Sequence, residues 1–103
     1  MVNTVWLLYY DDRDYDSGGS EILAAFADEG TPMNLCVLMN TIVEQHQARV
    51  QEHVLNTRTL PPNEWDGEVR MKLDNIFPNA GQVDINRVCY GYYEIPVRTG
   101  LTQ

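Results

Sequence analysis

Apolar and polar positions along the chain alternate in blocks that each carry a period. In "TVWLLYY", residues 4–10, apolar groups from Val5 to Tyr10 occupy both alternating sets. Successive side chains of a strand point to opposite faces, so this pattern predicts a central strand covered on both faces. "EILAAFAD", residues 21–28, is a second apolar run, and the Asp-, Ser- and Gly-rich segment between the two has the composition of a hairpin connection. Gly30, Thr31 and Pro32 then supply a turn, an N-cap and the proline favoured at the first helical position. Leu35, Leu38, Met39, Ile42 and Val43 keep helical spacing, after which the segment turns polar, with Val50 and Val54 continuing the stripe. From Leu35 to Val43 the helix is apolar around most of its circumference. It therefore needs more cover than one sheet face, from residues 60–80 or from a second subunit.

"TLPPNEWDGE", residues 59–68, breaks regular structure through Pro61, Pro62 and Gly67 and reads as a loop anchored by Trp65. Over residues 68–77, Val69, Leu73, Ile76 and Phe77 suit a helix, whereas Val69, Met71 and Leu73 alternate with Arg70 and Lys72 as in a strand. A short helix is the expected reading. "RVCYGYYEIPV", residues 87–97, predicts the last strand, with Pro96 at an edge or a strand end because it cannot donate to a ladder. The expected fold is α+β: one domain over residues 1–103, a three-stranded antiparallel sheet in order 2-1-3, one long helix and a short second helix.

Composition narrows the class. A chain of 103 residues buries one modest core. No run approaches the roughly 18 apolar residues of a membrane span, and the start lacks a basic n-region and an adequate h-region, so a cytoplasmic protein is expected. Cys36 and Cys89 fit buried thiols better than a disulfide framework or a zinc cluster. Net charge is −8, and residues 1–30 hold seven carboxylates against Arg13 alone, which places −6 of it there. Such an acidic pole repels phosphate backbones and attracts a basic protein surface.

Candidate chemistry begins at "DRDYDSGGSEIL". Asp12, Asp14 and Asp16 match positions 1, 3 and 5 of an EF-hand loop, but Ser17 stands at position 6, Leu23 at position 12, and the flanks read as strands. A solvated hairpin is expected and no metal site. His46 and His53 lie seven residues apart, roughly 10 Å along a helix, too far to share one zinc ion. No nucleophile elbow or glycine-rich phosphate loop is present, so neither an enzyme nor a cofactor is expected. If the first and last strands are neighbours, alternate residues among Tyr9, Tyr10, Tyr90, Tyr92 and Tyr93 lie beside one another on each face, with Arg70, Lys72, Arg87 and Arg98 from the less acidic half. Such a patch could stack a base or grip a protein hot spot, although tyrosines commonly just suit half-buried strands.

The plan of a "WLLYYDD" strand, an acidic loop, an "ILAAFAD" strand, a "TP"-initiated helix and a closing "YGYYEIPV" strand resembles small uncharacterised proteins encoded by bacteriophages and their hosts. The likeness lies in arrangement and assigns no residue. It implies an accessory role such as blocking a host defence system, in the host cytoplasm for a phage-encoded chain. Two functional expectations follow. The first is a non-enzymatic homodimer that binds the basic surface of a protein partner, but not nucleic acid or membrane, through Asp11, Asp12, Asp14, Asp16 and Glu21. The second is a nucleotide-binding protein using Tyr90, Tyr92, Tyr93 and Arg87.

Overall fold

A computed structural model of the chain describes residues 3–11 and 20–97. Its elements are β1 (Asn3–Asp11), β2 (Ser20–Phe26), α1 (Gly30–Thr57), α2 (Glu64–Ile76) and β3 (Cys89–Val97). The three strands form one antiparallel sheet in order β2-β1-β3, with β1 in the centre as its composition predicts. β1 pairs with β3 from Asn3 opposite Val97 to Asp11 opposite Cys89 without a break in register. Against β2 the register shifts between Leu8 and Tyr9, which face Ala24 and Ile22, so Leu23 is the extra residue of a bulge.

Helices cover one face of the sheet. Leu8 is completely buried there, and Tyr10, Leu23, Phe26 and Tyr92 pack beside it with Tyr90, which is buried. α1 contributes Cys36, Met39 and Val43, spaced so that one stripe faces the core, and α2 contributes Val69 and Leu73. Each of Leu8, Met39 and Leu73, fully buried, stabilises the fold by about 1.5–3 kcal/mol over an exposed side chain. The segment between α2 and β3 closes this core with Ala80, Val83, Ile85 and Val88. It is held by polar contacts. Arg70 Nη1 donates to the carbonyls of Gly81 (2.8 Å) and Val83 (2.7 Å), Gly81 N–H donates to Asp74 Oδ1 (2.7 Å), and Tyr90 Oη donates to Ala80 O (2.5 Å).

Several sequence expectations are corrected. Thr31 does not cap α1: the helix starts at Gly30, and Asp28 accepts the Thr31 N–H (2.9 Å) and hydroxyl, contacts that hold its carboxyl below the usual range. The predicted loop at 59–68 is shorter, because α2 begins at Glu64, with Glu64 and Asp66 favourably placed in its first turn. Trp65 therefore sits on a helix, where the Arg49 guanidinium lies 3.6 Å from its ring centre and His53 meets it edge-on. β2 ends at Phe26 and β3 begins at Cys89, each two residues short of the reading from sequence. Cover for α1 comes from α2 and from residues 80–88, and it leaves Met39 in the core while Val37 and Leu38 remain exposed. Cys36 is buried and desolvation pushes its thiol up to about 11, a poor nucleophile, whereas Cys89 is exposed, contrary to expectation.

Candidate functional site

Two surfaces stand out at the sheet. The first is its hairpin end. Asp11 closes β1 opposite Ser20 and Cys89, and the preceding residue, Tyr10, lies between Glu21 and Tyr90. Tyr10 Oη donates to Glu21 Oε2 at 3.0 Å, which orients an exposed carboxylate at the strand end. Both acids thus lie at the same end of the sheet, where the chain runs on in sequence into Asp12, Asp14 and Asp16. Those three aspartates lie outside the described residues. Among the described residues no three His, Cys, Asp or Glu side chains converge in a way that could hold a metal ion.

The second surface is the face of the sheet opposite the helices. Alternation and cross-strand pairing place Val5, Leu7 and Tyr9 of β1, Ile22 and Ala25 of β2, and Gly91, Tyr93 and Ile95 of β3 on it. None of them belongs to the core cluster, and Ile22, Tyr93 and Ile95 are exposed at 57%, 43% and 39%. The Tyr9 ring lies over Gly91, where a Cβ would come within 2.5 Å of the tyrosine oxygen, and meets Tyr93 edge-on at 5.5 Å. The doubly apolar pattern of β1 predicts cover on both faces, yet among the described residues only one face is covered.

The tyrosine and arginine group proposed from sequence is dispersed. Tyr90 is buried behind its bond to Ala80, and burial raises its phenol well above the ordinary range. Tyr92 is half-buried on the helix side, 6.0 Å from Trp6, whereas Tyr93 stands on the opposite face. Arg87 lies in the turn before β3, its Nε 3.8 Å from Asp84 Oδ2. Arg70 is committed to the carbonyls of residues 81 and 83. Arg98 is outside the described residues. The structure brings these groups to separate places instead of to one pocket.

Periodicity in the sequence did not single out His46. It is buried at the crossing of α1 and α2, its two ring nitrogens have no hydrogen-bond partner among the described residues, and Asp66 Oδ1 stands 3.6 Å from Nε2. A cavity of about 200 Å³ borders it, lined also by Gln45, Arg49, Glu68 and Lys72. Burial holds the imidazole below its ordinary pKa, against the opposing pull of Asp66, and Arg49 adds to the lowering. Position 46 falls on the stripe of Cys36, Met39 and Val43, and that spacing was the available signal.

The chain matches no family model, no curated protein and no solved structure. No helix among the described residues is long and apolar enough to cross a membrane.

Proposed function

We propose that this protein is a non-enzymatic binding protein that engages the basic surface of a protein partner through its acidic hairpin end. One observation carries the reading: Asp11 and Glu21 share one end of the sheet and flank, in sequence, the acidic stretch of residues 12–16. A concentrated field of this kind speeds encounter with a basic patch and disfavours phosphate backbones. Burial pushes the Cys36 thiol up to about 11 and disfavours it as a nucleophile. The resemblance to small phage-encoded proteins makes inhibition of a host defence protein the biological setting that fits. The nucleotide reading is less well supported, because Tyr90, Tyr92, Tyr93 and Arg87 do not face one another.

The test is a charge-neutralised variant in which Asp11, Asp12, Asp14 and Asp16 become Asn and Glu21 becomes Gln. A partner identified by affinity capture and mass spectrometry should associate with the variant at least about tenfold more slowly than with the wild type at low salt, with little change in melting temperature. An unchanged association rate would reduce the acidic end to a solubility device.

A further inference from the structure

We propose that the cavity beside His46, where α1 crosses α2, is a binding site for a small monocarboxylate anion. His46 is only 3% exposed, its ring nitrogens have no hydrogen-bond partner among the described residues, and it borders a cavity of about 200 Å³. A neutral imidazole carries one N–H and one lone pair, and burying either without a partner is unfavourable. Asp66 Oδ1, 3.6 Å from Nε2, stands just beyond hydrogen-bond length. The ring is thus placed against the cavity with its polar capacity unspent. One water needs far less space than this, so the volume suits a small organic ion.

Charge selects the class of ligand. The chain carries −8 overall, yet the cavity wall sets Arg49 and Lys72 against Glu68 alone, a net charge of +1. Arg49 is held in place for contact: its guanidinium lies 3.6 Å from the Trp65 ring centre, which occupies one face, and Glu68 Oε2 lies 3.5 Å from Nη1. Other N–H groups remain at the edge of the fork. Lys72 and the Gln45 amide add donors, and a carboxylate accepts from all of them. Ile42 and Val69 line the same cavity and offer apolar contact to a short alkyl tail. A dianion fits less well, because Glu68 in the wall and Asp66 beside the imidazole leave its second charge unmatched.

Binding is coupled to a proton. The charged groups around the ring and the cavity are Arg49 on α1 and Asp66, Glu68 and Lys72 on α2. An anion arriving among them favours the imidazolium, which donates from both nitrogens. By linkage the affinity rises as pH falls through the imidazole range, while a carboxylate ligand stays ionised down to about pH 6. The site is distinct from the acidic end, and neither reading depends on the other.

An NMR titration of the isotope-labelled full chain with butyrate tests the site. Backbone amides of residues 42–49 and 66–72 should shift and saturate, with a dissociation constant on the order of 1 mM at about pH 6. Affinity should fall at least about threefold by about pH 7.5. Sulfate, a dianion throughout this range, should bind at least about tenfold more weakly than butyrate. Lys72→Gln should weaken butyrate binding about fivefold or more, Glu68→Gln should tighten it about threefold, and His46→Leu should abolish saturation. The same spectra report whether each variant folds. Positions 68 and 72 are exposed, so their opposite signs keep the test decisive if His46→Leu does not fold. Absence of saturable shifts below about 50 mM, the result for a cavity that holds only water, overturns the proposal, as do shifts indifferent to positions 46 and 72. Sulfate binding as tightly as butyrate overturns the assignment to a monocarboxylate, and an affinity independent of pH overturns the role of His46.

Discussion

Asn40 on α1 holds both backbone groups of Tyr90 on β3: its Nδ2 donates to the Tyr90 carbonyl at 2.9 Å, and the Tyr90 N–H donates to its Oδ1 at 2.8 Å. β3 is an edge strand, and without this side chain two polar backbone groups beside the core would lack protein partners. Asn40→Ala should destabilise the fold by about 1–3 kcal/mol, read as a lower urea midpoint. Amide exchange at Tyr90 should accelerate more than at Leu8 in the central strand. Equal stability of the variant would show that water replaces Asn40 at no cost.

Gly81 and Gly67 should respond to alanine with opposite signs. A Cβ on Gly81 would lie 2.3 Å from the Arg70 carbonyl oxygen, a backbone atom that cannot swing aside, so Gly81→Ala should cost about 1–3 kcal/mol. Gly67 lies inside α2 with nothing within 4 Å of the position a Cβ would take, and Gly67→Ala should stabilise by about 0.5–1 kcal/mol through helix propensity. Thermal melts of the two variants check the pair. A destabilised Gly67→Ala protein would mean that α2 is not a continuous helix there.

His46 makes stability depend on pH near neutrality. Burial depresses its folded-state pKa, so between the folded and unfolded values the unfolded chain binds more protons and stability rises with pH. The folded state should therefore weaken as pH falls from about 7.5 through the ordinary imidazole value near 6.5 toward about 5. Asp66, 3.6 Å away, lessens the effect, and Arg49 works with burial. The pH slope should be smaller in His46→Leu, measured by urea unfolding across this window. Parallel slopes for the two proteins would show that the imidazole protonates in place without penalty.

Legibility followed the range of the interactions involved. The strand at residues 4–10, the long helix and the 2-1-3 sheet could be read directly, because alternation, the helical stripe and the Gly30–Thr31–Pro32 break are local signals and few short connections join three strands. The acidic end was equally plain, since Asp11 and Glu21 flank one connection in sequence. Residues 80–88 carry no clear period. Their burial rests on Arg70, Asp74 and Tyr90 binding backbone groups of that segment, seven to thirteen residues away in the chain. The burial of His46 was likewise settled by packing, whereas Tyr92 and Tyr93, adjacent on one strand, take opposite faces by alternation alone.

The sequence by itself determined that β1 is apolar on both sides, because residue identity alone sets that pattern. Only the tertiary structure decided which side the chain covers with its own helices. The connections after β2 carry α1, α2 and residues 80–88 to the side of Leu8 and Tyr90, and so leave Val5, Leu7, Tyr9 and Tyr93 as the open side.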